Sequence, residues 1–145
     1  TAPTKVGFTI LDNRGDSNAQ LPLDIGGNLN QSVKYYTYGV GTTTEGVKIG
    51  DYGMWMTDVT ADGNTVDAVT NNHDWEATKW RKSGIPRSDE FSTTSFAATG
   101  TEVPIAITTA NFNFVTNLMI RDTTSLAITD DTPLDGQATM TLVYL

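Results

Sequence analysis

The chain contains no cysteine. A disulfide framework and a thiol metal site are therefore both excluded, and the fold has to be held by packing. Cations are scarce: nine Lys and Arg stand against seventeen Asp and Glu, a net charge of −8. That balance argues against a nucleic-acid partner, since phosphate binding needs a clustered basic surface. The acidic residues form no block, which suits a surface kept soluble outside the cell. No run of 18 apolar residues occurs, so no membrane insertion is expected. The opening Thr1-Ala2-Pro3 has no apolar leader, which leaves a matured exported form and a cytosolic one both open. Histidine occurs once, at His73, beside Asp74, and no Gly-x-Ser-x-Gly or His-x-x-x-His spacing supports an acid–base pair there. No catalytic residue, cofactor or enzymatic activity is expected.

What the chain does have is Thr, Asn, Gly and β-formers, with few of the helix formers Glu, Lys and Leu. Such a composition favours a sandwich or barrel over a bundle. A length of 145 residues suits one domain with one core. Apolar residues alternate with period two, the mark of strands with one buried face. Residues 21–29 place Leu21, Leu23, Ile25, Gly27 and Leu29 on one face. Residues 136–145 do the same with Gly136, Ala138, Met140, Leu142 and Tyr144. Further strands are expected at 5–11, with Val6, Phe8 and Ile10 together, and at 33–40, 47–59, 103–108, 112–121 and 125–129. Residues 12–20 are polar and turn-rich and read as a loop or tether. One short helix is expected at 74–82. Seven to nine short strands with Gly, Asn and Asp turns point to an all-β, immunoglobulin-like sandwich.

Two motifs carry a family resemblance. Leu23-Asp-Ile-Gly-Gly-Asn-Leu29, followed by Tyr35, Tyr36 and Tyr38-Gly39-Val40-Gly41, resembles the amino-terminal region of bacterial chaperone–usher fimbrial subunits. The ending Ala138-Thr-Met-Thr-Leu-Val-Tyr-Leu145 resembles their carboxy-terminal strand, and the lack of cysteine places the likeness nearest the kappa-class enterobacterial fimbriae. The motifs cover about a fifth of the chain.

The resemblance implies an immunoglobulin-like fold lacking its last strand, completed by a donor strand from elsewhere. Residues 1–30 would form the N-terminal extension and residues 31–145 the pilin domain. Leu21, Leu23, Ile25 and Leu29 would be the plugs, and Gly27 the small residue that permits close approach. Ala138, Met140, Leu142 and Tyr144 would wall the groove and dock on a chaperone. Burying four aliphatic plugs contributes on the order of 6–12 kcal/mol before entropy costs. Pro22 removes one backbone donor, tolerable only on an unpaired side. Twenty residues precede this donor, so 5–11 is an alternative donor with Val6, Phe8 and Ile10 as plugs. The implied partners are related pilin subunits, a periplasmic chaperone and an outer-membrane usher. The implied destination, by way of the periplasm, is a cell-surface fimbrium.

Other residues invite binding roles. Trp75, Trp80, Arg81 and His73 combine aromatic faces with polar neighbours, the chemistry of a host glycan site. A self-contained lectin-like adhesin domain is the alternative function, and a phage or virion β-sandwich a further one. Asp58, Asp62, Asn64 and Asp67 crowd Gly63, and Asp130, Asp131 and Asp135 crowd a second turn, but the spacing of a helix-loop-helix calcium site is missing, so solvated turns are expected and no metal. Arg14-Gly15-Asp16 has the form of an integrin-binding tripeptide, a match too short to carry weight.

Overall fold

A computed structural model describes residues 2–29, 33–127 and 131–145. Ten strands run β1 (Val6–Asp12), β2 (Asp24–Ile25), β3 (Asn28–Leu29), β4 (Thr37–Gly39), β5 (Gly50–Ala61), β6 (Asn64–Asn72), β7 (Arg81–Lys82), β8 (Ser92–Ala98), β9 (Ala110–Ile120) and β10 (Ala138–Tyr144). Among the described residues, two α-helices of one turn each, α1 (Val33–Tyr36) and α2 (Thr123–Leu126), and a 3-10 turn at Gly15–Ser17 complete them. The fold is mostly strand, an open antiparallel sheet that does not close into a barrel, as an all-β sandwich requires.

The sheet path is β10-β1-β8-β6-β5-β4, with β7 beside β6 and β9 beside β5. It doubles back at the β5–β6 hairpin, so one layer is β10-β1-β8-β6 and the other β9-β5-β4. Asp62 and Gly63 make that hairpin, with φ of +49° and +83°. Positive φ at both central residues matches the right-handed twist of the flanking strands, and Asp-Gly adopts it at little cost. The period-two pattern then directs Phe8 and Ile10 of β1, Met54 and Met56 of β5, Val66 and Ala68 of β6, and Phe96 of β8 into one core. Phe112 packs on Phe8 with ring centres 5.6 Å apart and on Phe114 at 5.2 Å. Offset aromatic contacts of this kind add to the area they bury.

Four local expectations are corrected. Residues 21–29 are not one strand: Gly26 and Gly27 turn the chain at φ of +63° and +88°, and β2 pairs with β3. Residues 33–40 begin as α1 before entering β4, and the segment expected as a strand over 125–129 carries α2, capped by Asp122 accepting from the Ser125 N–H at 2.7 Å. An Asp at the N-cap satisfies an amide that a strand would have paired elsewhere. Residues 74–82 hold turns and β7 instead of a helix, pinned by the Asn71 side-chain amide donating to the carbonyls of Glu76 and Lys79.

Candidate functional site

Among the described residues β9 pairs only with β5, and β10 only with β1. Each therefore keeps one backbone edge unpaired. Sheet edges are usually guarded by Lys, Pro or inward charges, because an unguarded edge accepts another strand. Neither β9 (Ala-Asn-Phe-Asn-Phe-Val-Thr-Asn-Leu-Met-Ile) nor β10 (Ala-Thr-Met-Thr-Leu-Val-Tyr) contains a charged residue or a proline.

The two edges face one cleft of about 390 Å³. Val6, Phe8, Phe96 and Ile107 line it, with Ala110 and Phe112 from β9 and Met140, Leu142 and Tyr144 from β10. No lining residue is charged. Leu142 is 72% and Tyr144 84% exposed, and Met140, Leu118 and Ile120 are also open to solvent. Apolar side chains on an uncovered edge, beside a phenylalanine cluster, form a surface that a further strand would bury.

The direction of the edges is fixed by their ends. β10 starts beside Tyr52 and Val40, where Gly136 approaches the Tyr52 ring and the Asp135 N–H donates to the Val40 carbonyl at 2.7 Å. It ends where the Leu145 N–H donates to Lys5, next to the Thr4–Ile107 bridge that precedes β9. Tyr52 pairs with Leu118 near the other end of β9. β9 and β10 thus run in opposite directions across the cleft. A strand laid between them would be parallel to one and antiparallel to the other.

Residues 1–53 match a family model described as a protein of unknown function (DUF1120). That match spans under half of the chain, from residue 1 through β4 and into the first residues of β5. No curated protein and no solved structure matches.

Of the residues expected as groove walls, Met140, Leu142 and Tyr144 line the cleft, while Ala138 packs on the core. Residues 18–25 instead form a strap across the outer face of β5. Gly53 leaves the notch into which Ile25 and Leu23 fit, and Gly26 lies on the Trp55 ring. Leu23 and Ile25 are 1% and 0% exposed in their own chain. Leu21 and Pro22 lie near Met119 and Ile120. The Leu29 side chain and residues 30–32 fall outside the described residues. The alternative donor, 5–11, largely coincides with β1, which pairs with β10 along its whole length and with β8 at Gly7 and Phe8.

The glycan candidates are brought together only in part. Trp80 lines a hollow of about 530 Å³ with Lys5, Asn71, Thr78, Thr93 and Val103. His73 joins it through Thr93, with Nε2 and Oγ1 3.0 Å apart. Trp75 lies outside that lining with the Lys79 ammonium 5.1 Å from its ring, and Arg81 is turned to Glu102 at 3.6 Å. The carboxylates of the Gly63 turn serve the backbone: Asp62 accepts from the Thr108 and Thr109 N–H groups, and Asp67 from Gly100. Those hydrogen bonds hold both carboxyls below the usual range. Asp130 lies outside the described residues, and Asp135 pairs with Arg14 at 3.0 Å.

Three functional features were not singled out from sequence. Gly53 is the notch for the strap, and Asp51 lies beneath Leu21. The uncharged run 110–120 is the second cleft edge. Its eleven residues without a charge were the available signal, since exposed strands seldom go unguarded for that length.

Proposed function

We propose that the protein is a non-enzymatic assembly subunit of a bacterial surface fimbria, whose open cleft is filled by a strand from a neighbouring subunit. The observation that carries this reading is the pair of uncharged, unpaired edges, β9 and β10, on either side of an apolar cleft. An entering strand gains main-chain hydrogen bonds from the edges, while alternate side chains cover Phe8, Phe112 and Met140. The C-terminal likeness to fimbrial subunits points the same way, because the residues that carry it are those of β10. The partners proposed with it are related subunits, a periplasmic chaperone that covers the cleft before assembly, and an outer-membrane usher. The geometry bears on the donor: releasing 21–29 would uncover Leu23 and Ile25, at a cost of about 3–6 kcal/mol. Residues 5–11 are engaged too, between β10 and β8, and a swap of β1 would exchange those pairings while leaving the β9–β10 cleft open, so either N-terminal candidate has to leave its place in its own chain to enter a neighbour's cleft.

The test is co-expression with a fimbrial chaperone followed by unheated denaturing gels. Ladders from the unaltered chain that vanish in Leu142→Lys support cleft-mediated assembly; Leu142 is exposed, so this variant keeps the fold. An unaltered chain that stays a free monomer overturns the proposal.

A lectin-like second reading rests on the Trp80 hollow, where an aromatic face stands beside Lys5, Asn71 and Thr93. A sugar ring stacked on Trp80 would quench its fluorescence, and Trp80→Phe would shift the binding curve without loss of fold. Absence of any quenching across a panel of mammalian-type oligosaccharides removes this reading.

A further inference from the structure

Asp51 is the most deeply placed carboxylate among the described residues. It lies on the outer face of β5 with no solvent exposure. The strap of residues 18–25 crosses directly over it, and the Leu21 N–H donates to its Oδ1 at 3.1 Å. The Thr37 side chain of β4 also hydrogen-bonds to it, and Arg121, just past the end of β9, is the charged group that acts on it. Arg121 itself is engaged, donating from Nε to the Lys48 carbonyl at 2.9 Å. Asp51 Oδ2 has no hydrogen-bond partner among the described residues. A buried carboxylate with an unpaired oxygen is an expensive arrangement when ionised and an ordinary one when protonated.

The strap has few other fastenings here. The Asn18 side-chain amide donates to Thr37, the Ala19 N–H to the Gly50 carbonyl, and Leu23 and Ile25 fill the Gly53 notch. These converge on the stretch of β4 and β5 around Asp51, and one more lies on β9, where the Asn117 side-chain amide donates to the Asp24 carbonyl at 2.9 Å.

We propose that Asp51 is a proton-operated latch that holds the 18–25 strap against β4 and β5 and loosens it when the carboxyl ionises. When the strap lifts, water reaches Asp51 and its acidity returns to that of an ordinary aspartate. When the strap is closed, burial dominates over the Leu21, Thr37 and Arg121 contacts and pushes the carboxyl up to about 6 from 3.8. The closed form therefore binds the proton more tightly, so closure is favoured below about pH 4 and weakens as pH rises through about 6. A difference of that size changes the closed-to-open ratio about 100-fold between the two limits. The inference does not depend on fimbrial assembly; it concerns one segment of a single chain. Its consequence is that neutral pH selectively frees the outer face of β5 at Gly53 and Trp55.

The experiment is amide hydrogen exchange followed by NMR at pH 4 and pH 7.5, corrected for the intrinsic exchange rate. Ala19 and Leu21 report on the strap, and Val69 and Phe96 on the core. Protection at Ala19 and Leu21 should fall by tens of fold or more between the two pH values, while Val69 and Phe96 change far less. Asp51→Asn keeps an acceptor for Leu21 and cannot ionise, so it should show strap protection that is flat with pH and near the acid-limit value. Asp51→Ala should be flat and weakly protected. Equal strap protection at both pH values in the unaltered chain overturns the latch. So does a pH response that survives in Asp51→Asn.

Discussion

The fit between Gly53 and Ile25 makes a quantitative prediction about how the strap is seated. A Cβ on Gly53 would lie 2.7 Å from Ile25 Cγ1, 2.8 Å from its Cδ1 and 3.2 Å from Leu23 Cδ1. Alanine in place of glycine inside a strand would by itself favour the fold by roughly 0.5–1 kcal/mol, through lower backbone entropy in the unfolded chain. The overlap works the other way, and overpacking a filled site costs about 1–3 kcal/mol. Gly53→Ala should therefore destabilise, by about 0.5–2 kcal/mol. Ile25→Ala empties the same place and should cost about 2–5 kcal/mol. In the double variant the new methyl occupies vacated space, so its overlap disappears and only its backbone gain remains. The two effects should then fall short of their sum by about 1–3 kcal/mol, well above the ~0.5 kcal/mol scatter of independent sites. Urea unfolding at 25 °C with unchanged slopes measures each stability. Additive costs, or a Gly53→Ala variant more stable than the unaltered chain, would show that Ile25 does not sit in the Gly53 notch.

Two further outcomes test the frame around the site. A Cβ on Gly7 of β1 would lie 2.7 Å from both Thr93 Cγ2 and the Thr94 carbonyl oxygen, and the backbone oxygen cannot rotate away; Gly7→Ala should cost about 1–3 kcal/mol, lowering the melting temperature by several degrees. Arg87 holds Asp89 by two hydrogen bonds of 2.9 and 2.6 Å between the rings of Tyr35 and Phe91. Burial acts to raise the Asp89 carboxyl, but the Arg87 and Phe91 N–H contacts outweigh it and hold it below 3.8. Its contribution is present above pH 3.8 and lost as pH falls through the lowered value. Arg87→Lys should lose about 1–2 kcal/mol at pH 7, with the acid-unfolding curves of the two proteins converging as pH falls through the lowered Asp89 value. A constant offset down to pH 2 would assign the loss to packing instead.

Much of the fold was legible because strand periodicity and turn chemistry are local. Phe8 and Ile10, and Met54 and Met56, alternate in strands expected from sequence and meet in the core, whereas β6 and β8, which bring Val66, Ala68 and Phe96 to it, were not among the expected strands, and 103–108, expected as one, makes only isolated bridges at Pro104 and Ile107. Where reading failed, a short-range signal outcompeted the periodic one. Asp122 captures the Ser125 amide and starts α2 in a segment that reads as a strand. Gly26 and Gly27 reach positive φ and interrupt an alternation that runs unbroken on paper. The Trp80 and His73 contact through Thr93 lay beyond reach, since it joins residues across β8 that no spacing rule connects.

Residues 21–29 and 136–145 show the limit most clearly, because their patterns are alike and their environments are opposite. Alternation records that a segment has an apolar face; it does not record what covers that face. Leu23 and Ile25 find cover within the chain because Gly53, thirty residues and one sheet away, lacks a side chain. Met140, Leu142 and Tyr144 find none because β9, the strand across from them, is spoken for only on its β5 side. The apolar face left open is therefore the one at the C-terminal strand, and any segment that completes this sandwich has to reach β9 and β10 together. A cysteine placed at Thr141 on β10 and another at Asn113 on β9, in separate variants that each also carry a cysteine in the incoming strand, should both form a disulfide with that strand when the assembled polymer is oxidised with a thiol oxidant. Cross-linking at only one edge would mean that strands add to the outside of a sheet and leave the cleft empty.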